Sequence, residues 1–507
     1  MTSPVDDGPL IEASADSGPL PSGLGRVAVG GVAWQGLSYL LGKTLVLAAT
    51  IVLARLLTPR DFGIVGLALV FITYADVLTD LGVAEALVYL PADDRRNDAA
   101  VALALIVSSA LVGIAMLAAP FAARFFNRPE LTAMFRVLSL SLFLGATGQV
   151  PDALLRKRLL FRKRLVATVA RSLGQGALSI TLAALGLGPW SIVVGYLAGD
   201  AIWSSASWVL AGYRPRLRFW RVDKAVLRPL ISYGAPSAMH ALVVSLVFDV
   251  DYLIVGRVLG PVALGYYTLG FRMPELIIIN VFYVLSAVAF PLFSRARKEP
   301  ERLRKGYLTS LRLQTVYGVG AGVGLAVIAP MLIHVLFGAR WNRSIIPLEA
   351  LALYAAFRSV GNSATDVYKG IGRPGLAFGL SLIRLVVLVP ALLVATRFGI
   401  NGVSWTQMAV ALVLAVFMQV VATRLLGLNV RTFLSALVPA IAMGLGTAVG
   451  AGAVRLWLPG PEVVRLAMSI LAGVAMGIAL IWTVNRRFLR EMTALIVPRS
   501  KFGLRAS

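Results

Sequence analysis

Five cations stand deep inside long apolar runs of this chain: Lys43, Arg171, Arg272, Arg358 and Arg384. Gathered around one cavity, they would make a receptor for an anion, and the planar fork of arginine suits the oxygens of a diphosphate. The plainer reading is pairing with carboxylates of the same runs, as for Arg272 and Glu275 at i,i+3. For a single arginine the two readings weigh equally; the set together favours the cavity. The carboxylates Asp76, Asp80, Asp249, Asp251 and Glu275 offer a second chemistry. Desolvated carboxylates carry protons or hold Na⁺, besides serving as partners for arginine. Asp76 and Asp80 are four apart and share a helix face; Asp249 and Asp251 diverge unless their helix is irregular. Pro236 and Pro274 are placed to loosen those helices. Glu85, Asp152, Asp366, Arg136, Arg312 and Glu349 fall near run ends, where such groups snorkel or cap.

Enzymatic sites find no support in the residue set. The 507 residues include no cysteine and only two histidines, His240 and His334, both in apolar runs. That removes thiolate nucleophiles, zinc–thiolate and iron–sulfur sites, and makes a histidine metal site improbable. No phosphate loop or nucleophile–His–acid set is present. We therefore expect no catalytic residues, no metal and no cofactor, with coupling to H⁺ or Na⁺ as the one ionic role.

The runs that must position these charges dominate the composition. Hydrophobic residues make up 58% of the chain and charged residues 14%, with a mean hydropathy of +0.82. A soluble protein is about 45–50% apolar and about 25% charged, so a cytosolic enzyme, a disulfide scaffold and a disordered chain are excluded. A helix needs roughly 20 apolar residues to cross a bilayer. Fourteen such runs occur, near 34–56, 62–83, 99–121, 131–153, 165–187, 189–211, 229–256, 262–290, 307–336, 345–367, 374–396, 400–423, 433–457 and 463–484. The longest connection, 212–228, leaves no room for a soluble domain. Residues 1–25, acidic and rich in Gly, Pro and Ser, lack the basic start of a signal peptide and read as a disordered tail.

The net charge of +24 suggests nucleic acid at first sight, but its placement says otherwise. Of 48 Lys and Arg, 31 lie in the tails and even-numbered connections, 10 in the odd-numbered ones and seven inside the runs. By the positive-inside rule both termini are cytoplasmic. The basic runs 156–164 and 214–228 then face anionic lipid, and no nucleic-acid module accompanies them.

An internal repeat organises the runs. Arg55, Pro59 and Gly63 recur as Arg257, Pro261 and Gly265 at an offset of 202. Arg171, Gly186 and Ser191 recur as Arg384, Gly399 and Ser404 at an offset of 213. The expected fold is an all-α integral membrane protein of about 14 helices. A tail (1–26) precedes a six-helix lobe (27–212), a basic loop (213–228) and a second six-helix lobe (229–425). Two further helices (426–485) and a cytoplasmic tail (486–507) follow. With six helices per lobe, the pseudo-twofold axis runs along the membrane normal, around a central cavity.

Trp34, the stretch Leu53–Gly63, Asp80-Leu81-Gly82, the stretch Asp251–Gly260, Leu264-Gly265-Tyr266-Tyr267 and Phe290-Pro291-Leu292-Phe293-Ser294-Arg295 resemble the polysaccharide transporter family. This is the Wzx-type branch of the multidrug/oligosaccharidyl-lipid/polysaccharide flippase superfamily, and the likeness extends to teichuronic- and colanic-acid exporters. The resemblance implies alternating-access translocation of undecaprenyl-pyrophosphate-linked oligosaccharide across the bacterial inner membrane, driven by an ion gradient. Expected partners are that lipid-linked substrate, anionic lipids, and a polysaccharide polymerase with other biosynthetic proteins, the chain itself working as a monomer. The alternative on the same fold is an ion-coupled drug or metabolite antiporter, whose cavity would be acidic and aromatic. A glycan polymerase would need a long catalytic loop, which the spacing of the runs does not provide.

Overall fold

The computed structural model describes residues 41–80, 83, 87, 94–214, 239, 242–246 and 249–486. Asp80 is described for its backbone alone, while Glu85, Pro236, His240, both tails and the run 215–228 lie outside the described residues. Helices account for nearly all of these positions. They are α1 (41–56), α2 (Pro59–Asp80), α3 (Asp94–Phe125), α4 (Leu131–Lys157), α5 (Phe161–Ala184), α6 (Trp190–Ala211) and α7 (249–254). Then follow α8 (Gly260–Pro274), α9 (Asn280–Ala296), α10 (Pro300–Leu336), α11 (Ile345–Gly370), α12 (Pro374–Ala395), α13 (Gly399–Leu426), α14 (Val430–Trp457) and α15 (Glu462–Val484).

Ten segments of the described residues are long and apolar enough to cross a membrane. Three of them, Asp249–Phe282, Ala339–Gly370 and Gly375–Leu426, each run through more than one helix. The helix α6 is not among the ten, because Asp200 and several serines dilute its apolar content. Large apolar side chains such as Leu117, Val209, Val386 and Leu471 are exposed around the outside. Lipid tails can accept such a surface, and helices are suited to it because they satisfy their own backbone groups.

Local sequence sets the helix ends. Thr58 precedes Pro59, the first residue of α2, and its backbone and hydroxyl both donate to Asp61 Oδ2, at 2.9 and 2.7 Å. The Asp61 amide donates back to Thr58 Oγ1, closing a capping box whose proline occupies the position that lacks a donor partner anyway. Pro261, Pro300 and Pro374 stand in the first turn of α8, α10 and α12, without a side-chain cap. The expected irregularity appears at the end of the seventh run and within the eighth. A π turn, Val255–Leu259, joins α7 to α8, and a second, Glu275–Ile279, begins directly after Pro274. The ninth run is longer than its apolar part: α10 has 37 residues, beginning with a charged segment that contains Arg302, Arg304 and Lys305.

Small residues bring the helices together, as expected where lipid removes the hydrophobic drive between them. A Cβ on Gly446 would stand 2.6 Å from the Met476 carbonyl oxygen, and one on Gly473 would stand 3.2 Å from that of Thr447. Gly450 meets the Ala472 carbonyl still more closely. Gly450→Val is therefore expected to pry α14 from α15 at a cost of about 1–3 kcal/mol, read as a lower thermal midpoint in detergent. Gly318 and Gly322 play the same part between α10 and α11, against Ser359 and the Ala352 carbonyl.

Candidate functional site

The embedded charges fall into linked clusters rather than isolated points. In the first, Glu275, at the π turn after α8, holds Lys43 of α1 at 3.7 Å and Arg272 of α8 at 3.3 Å. All three side chains are about one-third exposed or less. Lys43 also lies within electrostatic range of Arg171. Arg171 of α5 pairs with buried Asp200 of α6 at 2.5 Å, and its guanidinium lies 5.9 Å from the Tyr196 ring centre and 5.7 Å from that of Trp203. Asp76 of α2 faces Asp200 electrostatically and accepts from the Thr79 hydroxyl at 3.3 Å.

The second cluster surrounds a cavity of about 510 Å³ among α11, α12 and α13. Its polar wall includes Arg358, Asn362, Thr365, Lys369, Ser381 and Arg384; its apolar wall includes Phe378, Leu414 and Met418. Arg358 and Arg384 both donate to the Tyr354 hydroxyl, at 3.2 and 2.9 Å, and Arg384 also lies over the Tyr354 ring. Asp249 stands within electrostatic range of both Arg358 and Glu275, and so links the two clusters. Asp251 is buried, accepting on Oδ2 from Tyr267 at 2.5 Å and from Gln407 at 2.8 Å, while its Oδ1 has no hydrogen-bond partner. Cationic forks beside an apolar wall suit an amphipathic anion, with the fork on the charged head.

The sequence-predicted cations thus come together in two groups, Lys43 and Arg272 with Arg171 nearby, and Arg358 with Arg384. The pairing of Arg272 with Glu275 at i,i+3 is present. Sequence reading did not find Tyr354, the shared acceptor of both cavity arginines, although its place four residues before Arg358 puts it on the same helix face. Nor did it find Gln407 and Tyr267, whose partner Asp251 is remote in sequence. Two residues differ from their expected place at a span end. Asp152 is buried between Arg164 at 2.7 Å and Arg156 at 3.1 Å. Asp366 is buried and accepts from Ser286 and Gln314 at 2.9 and 3.3 Å. Asp152 is covered by the helix that carries Arg164, and Asp366 by the two that carry Ser286 and Gln314, so packing buries groups that a single helix would leave at the interface. Of the two histidines, His334 lies at the end of α10, 2.8 Å from the Asn342 side-chain oxygen. Among the described residues, no cluster of His, Asp and Glu is arranged to hold a metal ion.

An all-α bundle of membrane-length apolar helices with charged groups and a polar-walled cavity inside defines a multi-pass membrane protein. Its fold is shared with the lipid II flippase MurJ in an inward closed conformation, at a TM-score of 0.70 and 14% identity over 90% of this chain and 99% of that one. An inward-facing multidrug-resistance MATE transporter of the MOP superfamily gives 0.64 and 18%, over 76% and 94%. Residues 52–346 match the signature described as Polysaccharide biosynthesis protein, and the chain belongs to that family. Similar curated proteins include the lipopolysaccharide biosynthesis protein WzxC of Escherichia coli K12, 24% identical over 74% of this chain and 77% of that protein. The succinoglycan biosynthesis transport protein ExoT of Rhizobium meliloti is 27% identical, over 66% and 67%. The teichuronic acid biosynthesis protein TuaB of Bacillus subtilis is 23% identical, over 74% and 79%.

Proposed function

We propose that the chain is a flippase that carries an undecaprenyl-pyrophosphate-linked oligosaccharide from the cytoplasmic to the periplasmic leaflet of the inner membrane, for cell-surface polysaccharide synthesis. The observation that carries this reading is the distribution of cations. Lys43 and Arg171 come from the first six helices; Arg272, Arg358 and Arg384 come from the later ones. Held by both sets, a pyrophosphate moves when the sets move against each other, as alternating access requires. The sugars occupy the polar interior and the lipid tail stays in the bilayer. Both termini are cytoplasmic in this reading, and the two sets of helices are the six-helix lobes of the repeat. Asp76, Asp249, Asp251 and Glu275 are the candidates for H⁺ or Na⁺ coupling, and the backbone position of Asp80 keeps it among them.

The test is a flipping assay, in cells or reconstituted, with Lys43, Arg171, Arg272, Arg358 and Arg384 each changed to alanine. We expect losses of about tenfold or more where a charge-assisted bond to phosphate is removed, since such bonds contribute about 1.5–3 kcal/mol. Normal transport by all five folded variants would sink the anion cavity. The carboxylates beside these cations, Glu275 and Asp200, favour the second reading, an ion-coupled antiporter of drugs or metabolites; efflux of a cationic dye without oligosaccharide transport would establish it instead.

A further inference from the structure

The repeated motif makes a two-way clasp between the halves of the molecule. A Cβ on Gly63 would run into the carbonyl oxygen of Pro261, and one on Gly265 into that of Pro59, so α2 and α8 cross here at backbone contact. Each glycine faces the proline of the other copy, as a twofold axis demands. The arginines of the motif extend the exchange. Arg55 donates to the carbonyls of Leu336 at 3.1 Å and Val335 at 2.5 Å, at the end of α10. Arg257 reaches back to the end of α3, with its guanidinium 5.1 Å from the Phe125 ring centre and 3.1 Å from the side-chain amide of Asn127. Trp341 is fully buried between Phe62 of α2 and Tyr266 of α8, with ring centres 5.3 and 5.9 Å away, and its indole N–H donates to the Ala54 carbonyl at 2.8 Å. Arg340 adds a bond to the Leu57 carbonyl at 3.2 Å.

We propose that these residues are the outer gate of the transport path: the six motif residues clasp the two halves at the periplasmic end, Trp341 plugs the seam, and the clasp must part to release cargo outward. The reasons are on the two sides of the same seam. All the contacts gather at the end that carries the odd-numbered connections, the side poor in Lys and Arg. They are small-residue and carbonyl contacts of the kind that separate without leaving a charge buried alone. This placement rests on the orientation and alternating access proposed above.

The absence of cysteine allows a direct test, since an introduced thiol is the sole reactive one. Thr268 lies across the seam, its hydroxyl 3.7 Å from where a Cβ on Gly66 would stand. In right-side-out vesicles, Thr268→Cys should react slowly with a membrane-impermeant maleimide. Adding Gly63→Ala should raise that rate severalfold, and the Arg55→Ala/Arg257→Ala pair, which leaves the helix crossing intact, should do the same if the glycine variant fails to fold. Oxidising Gly66→Cys/Thr268→Cys should staple the seam and stop transport until a reductant is added. Unchanged labelling in the folded variants, or undiminished transport by the stapled protein, would overturn the proposal. Labelling that rises in inside-out vesicles but not in right-side-out ones would overturn the outer placement. A seam that opens on cue in a protein carrying no lipid-linked sugar would leave the clasp standing and remove the flippase reading.

Discussion

Replacing Lys43 and Arg272 together by alanine is expected to abolish transport, well beyond the roughly tenfold or larger loss expected of either change alone. The two cations share one carboxylate, Glu275, at 3.7 and 3.3 Å. With one removed, the other still compensates Glu275. With both removed, a partly buried carboxylate faces the interior with its cations gone, and repels the anion they were to hold. Two roles are mixed in that result, and a third change separates them. The variant Lys43→Ala/Arg272→Ala/Glu275→Gln has no charge to compensate. If the cations bind substrate, the triple variant regains thermal stability in detergent but stays inactive in the flipping assay. If they only neutralise Glu275, it regains both.

The largest loss of stability is expected from Asp152→Ala. Asp152 is 3% exposed and accepts from Arg164 at 2.7 Å, with Arg156 at 3.1 Å. Breaking a buried ion pair by removing one partner costs about 3–5 kcal/mol, because the other charge is left uncompensated. Here one carboxylate serves two arginines, each partly exposed, so the lower end of that range applies. The expected reading is a clear drop in unfolding midpoint. Asp152→Asn should fall between wild type and Asp152→Ala, since an amide still accepts a hydrogen bond. Equal midpoints for all three would show that water already compensates both arginines.

What the sequence made legible was whatever it repeats locally. Apolar run length located the helices, because crossing a bilayer sets a minimum apolar length for a spanning segment. Pro274 marked the place where the eighth run loosens into a π turn, whereas the second run, read from 62, missed the capped start of α2 at Pro59. The offset of 202 paired Gly63 with Gly265, but it left open that each packs on the other copy's proline. That contact depends on how two distant helices cross. The same holds at the cavity. Arg358 and Arg384 were readable as cations in apolar runs, whereas Tyr354 had the look of an ordinary aromatic until both guanidiniums converged on its hydroxyl. Trp341, in a short turn between α10 and α11, carries no periodicity or charge to mark it. Asp152 was misjudged because distance from a span end is read along one helix, while burial is decided by its neighbours.

The length of α10 has a bearing on how the molecule sits in membranes of different thickness. Its 37 residues make a rod of about 55 Å, against roughly 30 Å of hydrocarbon. The excess length includes the first turns, which carry Arg302, Arg304 and Lys305 and pack through buried Leu303 and Tyr307, and Arg304 fastens to the Leu426 carbonyl at 2.6 Å. Lipids of longer or shorter chain would shift the waterline along this rod without stranding an apolar end. The 22-residue α2 and α12, about 33 Å each, have no such reserve. Hydrophobic mismatch should therefore act on the short helices, tilting them against a rod that stays in register with either leaflet.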